Sequence, residues 1–410
     1  MDRRVVVTGL GAVTPLGNDL ATSWQAALRG ECGIDTVTQF DASILGSQIA
    51  GEVKNFDATK YLGVKEVRRF DRFVHFGVAA GIMALEDAGI EVTEELSPEI
   101  GVAIGAGIGG IPVITSNYQA MIDRGPRRIS PFMIPGCIIN MVSGQLAIMK
   151  NLKGPNIAHV TACSTGLHAI GEAMHMIKRG DATVMVAGGC ESTIHPLAMG
   201  AFDAMHALSR RNDDPKTASR PFDKDRDGLV VGEGAGTLVL ESLSHAKARG
   251  ARIYAEVLGF GENSDGVHIT TPQSEQMGRA MELALEDAGI RPEDVDCVNG
   301  HGTATDRGDV AESHATARVF GDRVPYTTYK GHMGHTLGAC GALEAIFALR
   351  SMEEGFVSPI LNLKEPDPAC ANLQYVRDAV RSLEQNVIMS NNFAFGGINT
   401  SLVFRRWLGE

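Results

Sequence analysis

The sequence predicts an α/β protein in which sheets are covered by helices, and two observations carry that reading. Short β-rich apolar runs alternate with helical ones along the 410 residues, and glycine-rich segments fall at the ends of strands, where ligand sites of such folds lie. Arg4 to Thr8 reads as a strand and Leu20 to Arg29 as a helix. Ile100 to Ile104 and Val184 to Ala187 read as strands, and the strand Thr237 to Leu240 leads into a helix over Ser244 to Arg249. Further on, Val295 to Val298 precedes a helix over Val310 to Phe320, and Ser401 to Phe404 is the last strand.

The second part restarts the first. Arg252 to Gly261 repeats the pattern of Arg3 to Gly11, an apolar strand ending in a Gly-x-Gly turn, and each precedes a helix-strand series. This predicts an internal duplication with halves at 1–250 and 251–410. No flexible linker separates them, so they are expected to pack as one unit.

With 44% hydrophobic and 21% charged residues the chain reads as soluble and globular, with a sizeable core. A net charge of −12 argues against a nucleic-acid binder, which needs a broad basic surface. Seven cysteines without a CxxC pair argue against a disulfide framework or a zinc site and fit a reducing cytosol. The start, Met1 to Thr8, is too short in apolar residues for a signal peptide, so the mature chain is expected to begin here and to be cytoplasmic. Two uncharged stretches, Gly101 to Ile122 and Ile129 to Met149, reach membrane-spanning length but are broken by Gly and Pro. They are expected to be buried in the core or in a subunit contact, which favours a homodimer and no membrane association.

Cys163 carries the sharpest chemical signal. It sits where a short apolar strand through Val160 gives way to the helical stretch Leu167 to Lys178. A sulfur at a helix N-terminus is expected to have its pKa lowered and to act as a nucleophile.

Other motifs are weaker. Gly105 to Gly110 fits GxGxxG, but no acidic residue follows at the spacing a ribose requires, and no Gly-Lys-Ser/Thr completes a phosphate loop. Asp223 to Gly228 begins like a calcium loop, yet its twelfth position is Gly234 where Glu is required, so a salt-bridged turn is expected. His332 and His335 lack a third metal ligand at suggestive spacing, so no metal is expected. His301 ends a strand, where it faces a cleft, and Thr303 and Thr305 either offer hydroxyls to a ligand or cap the next helix. Asn391 to Asn399 either lets its backbone approach a ligand through Gly396 and Gly397 or is a tight hairpin.

Together, Cys163, His301, Lys330, His335 and Phe395-Gly396-Gly397 resemble, in order and spacing, the catalytic set of the β-ketoacyl-acyl-carrier-protein synthases of the synthase II type. The resemblance extends over essentially the whole chain. It implies the thiolase-like fold, two duplicated βαβαβαββ halves in five αβαβα layers, and an acyltransferase of fatty-acid biosynthesis that needs no cofactor. Cys163 would hold the acyl chain as a thioester, and the N–H groups of Cys163 and Phe395 would form an oxyanion hole. His301 and His335 would promote decarboxylation of malonyl-acyl-carrier protein, with Lys330 orienting the site, paired with Glu344. The resemblance places Thr303 and Thr305 on the pantetheine arm and Asp265 and His268 at the mouth. The acyl tail would run past Ile108, Ile134, Ala198 and Phe202, with Met133 coming from the other subunit of a homodimer. Lys65, Arg68, Arg69, Arg127 and Arg128 would dock the acidic acyl-carrier protein, although a solvated basic face has the same composition.

The chain departs from that family at Leu229, where a gating Phe is usual, at Asp306-Arg307, at Gly331-His332 and at Ile398. Met133, Ala198, Met199 and Asp203 also alter the expected acyl pocket. These departures leave open a specialised ketosynthase building polyene or polyketide chains. A degradative thiolase needs a second cysteine in the last glycine-rich loop, which has none, and a non-catalytic chain-length partner subunit normally lacks the nucleophile retained here as Cys163.

Overall fold

The computed structural model describes residues 3–409; Met1 and Asp2, at the chain start read for a targeting signal, and Glu410 lie outside it. Eleven strands join in one sheet: β1 (Val5–Val13), β2 (Ile100–Gly105), β3 (Asn156–Ile157), β4 (Val184–Glu191), β5 (Gly234–Ser242), β6 (Ala255–Ser264), β7 (Cys297–Asn299), β8 (Pro325–Thr327), β9 (Gln374–Tyr375), β10 (Val387–Ala394) and β11 (Ile398–Arg406). Their spatial order is β9-β8-β7-β10-β11-β6-β1-β5-β4-β2-β3.

That order contains a repeat. From the centre outward, β1-β5-β4-β2-β3 and β6-β11-β10-β7-β8 follow the same path, with two antiparallel pairings and then two parallel ones on each side. The two sets join where Val5 to Val7 pair with Val257 to Ala255. This is the duplicated architecture expected of the thiolase-like fold.

The main helices are α1 (Leu20–Leu28), α2 (Arg72–Ala88), α3 (Ile111–Arg124), α4 (Thr165–Arg179), α5 (Ser274–Ala288), α6 (Asp306–Phe320) and α7 (Cys340–Glu354). Helices α4 and α7 touch strands of both sets and share one apolar core with them, so they form the central layer. Outside, α2 covers the first set while α5 and α6 cover the second, each over its own core. Five layers result, and the centre of the middle one carries the chemistry.

The Gly-x-Gly pairs are not turns. Strand β1 runs on through Gly9 and Gly11, and β6 through Gly259 and Gly261. The glycines serve packing: a Cβ on Gly11 would lie 2.0 Å from the Ala80 carbonyl oxygen of α2, and one on Gly261 would lie 2.2 Å from that of Ala280 in α5. Each pair lets a helix backbone lie directly on its strand.

The uncharged stretches are only partly buried. Residues of β2 are inside, but α3 has no buried residue, and Tyr118, Ile122 and Ile134 are each about 60% exposed. Among the described residues no helix is long and apolar enough to cross a membrane. The Asp223 to Gly228 segment is the salt-bridged turn expected of it, with Arg220 bonded to Asp223 and Arg226 to Asp367. His332 is buried, with its ring nitrogens against the Glu31 and Pro359 carbonyls, whereas the ligand atoms of His335, Cys163 and His301 lie within 4.8 Å of one another.

Adding a methyl group at Gly261 forces α5 off the sheet. Gly261→Ala is therefore expected to lower unfolding stability by about 1–3 kcal/mol in urea titrations, and Gly11→Ala to do the same through α2.

Candidate active site

Cys163 lies in a single 3-10 turn, Ala162–Ser164, immediately before α4. The helix does begin at the cysteine, but Val160 is an exposed loop residue and no strand end. Ala162 turns the chain with φ 49°, Ala304 does so beside Thr303 and Thr305 with φ 63°, and Leu337 does so just past His335 with φ 48°. Non-glycine residues in this region cost about 1–3 kcal/mol each and persist where the surroundings hold them. All three adjoin residues of one cavity.

That cavity, of about 490 Å³, is lined by Cys163, Phe202, Leu229, Asp265, His268, His301, Thr303, Thr305, His335 and Phe395 among others. Ile108, Met133, Ile134 and Ala198 do not line it. Ala198 is buried, and Ile108 and Ile134 stand on the exposed apolar face, 40% and 61% accessible, so within one chain the acyl route expected past them is not formed.

The expected lowering of the Cys163 pKa is overturned. Burial pushes the thiol up to about 12, opposed by Lys330 and the Phe395 N–H and reinforced by Glu191 and Glu344. Desolvation by the apolar cluster around Leu229, Leu337 and Phe202 is the largest cause and outweighs what a helix start would contribute. At rest the sulfur is a thiol.

Its neighbour is His335, whose Nε2 lies 3.0 Å from Sγ. The Leu337 N–H donates to His335 Nδ1 at 3.3 Å, so a neutral ring carries its proton on Nε2 and donates toward the sulfur. His301 stands edge-on to His335 with ring centres 5.1 Å apart. The Lys330 ammonium lies 3.1 Å from His301 Nδ1, which again leaves the ring proton on Nε2. Burial, with Lys330 adding to it, holds both imidazoles well below 6.5. Two neutral N–H donors therefore flank one sulfur.

Lys330 is not in the cavity wall. It is buried behind His301, bonded to the His301 carbonyl at 2.6 Å and to Glu344 Oε1 at 2.5 Å. Glu344 keeps the ammonium charged by raising its pKa against the effect of burial.

Strands β10 and β11 do form a hairpin, and its turn presents the Phe395 N–H to the Cys163 sulfur. Gly397 lies against Asp265, whose carboxylate accepts from Asn399 Nδ2 at 2.7 Å and from the Gln273 N–H at 3.1 Å. Thr305 stands at the N-cap of α6, yet its hydroxyl bonds to Thr303 at 2.9 Å and caps nothing. Both residues line the cavity. Lys65, Arg68, Arg127 and Arg128 are exposed, and Arg69 stacks its guanidinium on Phe132 at 4.1 Å.

Three residues of the site escape sequence reading. Glu312 accepts from the His301 and Gly302 N–H groups at 2.6 and 2.7 Å and fixes the backbone of the histidine. Asn392 reaches both His301 and Glu344. Glu191 accepts from the N–H groups of Gly107, Ile108, Gly109 and Gly338, so the glycine-rich loop that mimics a phosphate cradle holds a carboxylate of its own chain. Glu191 and Asn392 are polar residues at the end of or inside an apolar run, a weak signal, whereas Glu312 lies in a polar helical stretch that gives none.

Comparison with known proteins decides the family. Residues 2–246 match the N-terminal domain of β-ketoacyl synthase and residues 254–364 its C-terminal domain. The chain belongs to the β-ketoacyl synthase family. This synthase is 49% identical to a 3-oxoacyl-[acyl-carrier-protein] synthase 2 of Vibrio cholerae, over 98% of the chain and 99% of the relative. A crystal structure of a β-ketoacyl synthase from Burkholderia phymatum superposes with a TM-score of 0.94 at 44% identity, covering 99% and 100% of the two chains. A ketosynthase solved in complex with its type II PKS acyl-carrier protein superposes at 0.90 with 30% identity, covering 99% and 100%.

Proposed function

We propose that this synthase is a 3-oxoacyl-[acyl-carrier-protein] synthase that condenses malonyl-acyl-carrier protein with an acyl group held on Cys163. The observation that carries the reading is the placing of two neutral Nε2–H donors beside one thiol, with Nε2 of His335 at 3.0 Å from Sγ. A chain-length subunit without catalysis has no use for that sulfur.

In the first half-reaction Cys163 Sγ attacks the acyl thioester carbonyl. Negative charge on its oxygen is met by the N–H groups of Cys163 and Phe395, and one such donor is worth about 2.7–4 kcal/mol. The carrier thiolate leaves and takes the proton the cysteine gives up. In the second, the malonyl thioester carbonyl lies against Nε2–H of His301 and His335. Its carboxylate leaves as carbon dioxide, and the electron pair of the broken C–C bond passes into an enolate held by both donors. The enolate carbon attacks the acyl thioester, the C–S bond breaks, and the Cys163 thiolate takes up a proton from solvent. Neutral imidazoles suit this step because they donate without transferring their proton.

Thr303 and Thr305 line the way in and suit the polar arm of the carrier. Asp265 and His268 stand at the mouth. Lys65, Arg68, Arg69, Arg127 and Arg128 would dock the acidic carrier protein, and the exposure of Lys65, Arg68, Arg127 and Arg128 supports that reading. The working state is a homodimer in the cytoplasm: the apolar side chains Ile114, Tyr118 and Ile122 of α3 and Ile134 beside it are exposed, and among the described residues β3 ends the sheet. In that assembly Met133 and Ile134 would close the acyl channel.

Cys163→Ala is expected to abolish elongation while still releasing carbon dioxide from malonyl-acyl-carrier protein, at a rate flat between pH 8 and 6, since neither histidine titrates there. Elongation by this variant would refute the assignment. Arg68→Glu should raise KM for acyl-carrier protein at least about tenfold, as for a lost charge contact, and leave small thioester substrates unchanged; equal losses count against docking there. Sedimentation should give twice the chain mass of 43.6 kDa, and a species of 43.6 kDa at micromolar concentration would exclude the dimer.

A further inference from the structure

We propose that Asn392 is a positioning residue for the decarboxylation half-reaction, holding His301 in the tautomer that donates from Nε2; this rests on the condensing function above. Asn392 lies in β10 and is fully buried. Its Nδ2 is 2.9 Å from His301 Nδ1 and 3.0 Å from Glu344 Oε2.

Glu344 fixes which way the amide faces. Its carboxylate, paired with Lys330, only accepts, so the amino group of Asn392 must turn toward it rather than the carbonyl oxygen. The same amino group then offers its second hydrogen to His301 Nδ1. That nitrogen becomes an acceptor, and a neutral ring has its one proton left for Nε2, toward the cavity.

The two histidines reach this tautomer differently. His335 receives a main-chain N–H on Nδ1, from Leu337, whereas His301 relies on side chains. Lys330 is one of them, but its three hydrogens are shared among Glu344, the His301 carbonyl and Nδ1, and the last contact is the longest at 3.1 Å. Asn392 makes the shorter bond to the ring. Its own backbone is pinned, since the Thr400 hydroxyl donates to its carbonyl at 3.2 Å and the Ser164 hydroxyl is shared between that carbonyl and the Ile398 carbonyl. Three residues further along the chain, Phe395 presents its N–H to Cys163. One hairpin thus serves the oxyanion site of the first half-reaction and the donor histidine of the second.

The two half-reactions separate this role from a structural one. Acyl transfer to Cys163 is followed by mass spectrometry, and decarboxylation by carbon dioxide release from malonyl-acyl-carrier protein, for wild type, Asn392→Leu and Asn392→Asp. Asn392→Leu removes the donor at similar volume. Decarboxylation should fall about tenfold or more, toward the 10²–10³ expected for a lost transition-state donor, while acylation stays within about threefold. Nitrogen NMR of the His301 ring should then show Nδ1–H appearing at the expense of Nε2–H. Asn392→Asp places an acceptor against Nδ1, so its decarboxylation should be lowest at pH 8 and recover toward pH 6, where the added carboxyl or the ring takes up a proton. Parallel losses of both half-reactions in Asn392→Leu, or decarboxylation equal to wild type, would overturn the proposal. If Asn392→Asp does not fold, the Asn392→Leu result decides alone. Failure of wild type in both half-reactions would instead refute the condensing function.

Discussion

The site depends on one buried ammonium. Lys330 is 1% exposed, and a charge in that position survives only where every hydrogen is met, since breaking such a pair typically costs about 3–5 kcal/mol. Its partners come from elsewhere in the chain: Glu344 from α7, and the carbonyl and ring of His301 from the loop after β7. Asn392 of β10 joins through the second oxygen of Glu344. Meeting the demands of one cation therefore fixes the separation of three elements, and His301 is set by it. The polar network and the apolar central layer are one construction, because the hydrocarbon around Lys330 makes the alternative arrangements expensive.

A second buried charge works from the other side. Glu191 ends β4 and gathers four main-chain N–H groups, three from the Gly107 to Gly109 loop and one from Gly338. Burial nevertheless pushes it up to about 7, with the backbone donors opposing. Gly338 lies three residues past His335, so this carboxylate ties the loop after β2 to the segment that follows His335. The close approach is possible because a Cβ on Gly338 would lie 2.3 Å from the Gly107 nitrogen. A glycine-rich loop after a strand thus presents the geometry of an anion site, and the anion is part of the same chain.

Much of this was legible in the sequence. The strands β1, β2, β4 and β5 fall where apolar runs placed them, because each is buried along its length and so leaves a strong hydrophobic signature. The repeat at Gly9-Leu10-Gly11 and Gly259-Phe260-Gly261 was visible too, but its meaning was misread: a glycine pair signals a turn or a close helix contact equally well, and only α2 and α5 lying on the strands tells them apart. Cys163 stood out by its place before a helix and His301 by its place after a strand, while Lys330 and His335 took their expected roles from the family resemblance. Asn392 and Glu312 did not stand out. A polar residue in a strand or helix reads the same whether it faces water or a buried partner, and the partner is 91 residues from Asn392 and 11 from Glu312.

The cysteine shows most clearly why local sequence misleads about reactivity. A helix start favours a thiolate, and that contribution is readable from Thr161 to Gly166. Desolvation comes from Phe202, Leu229 and Leu337, distant in sequence, and it is larger. A sulfur near pKa 12 is almost wholly protonated at neutral pH, so its nucleophilicity is not stored as free charge. In the proposed reaction charge would instead develop during attack, on a carbonyl oxygen met by main-chain N–H groups held in place beforehand. The same dry surroundings that suppress the resting thiolate would strengthen those donors once charge appears, so a buried, protonated thiol is compatible with the proposed role of acyl acceptor.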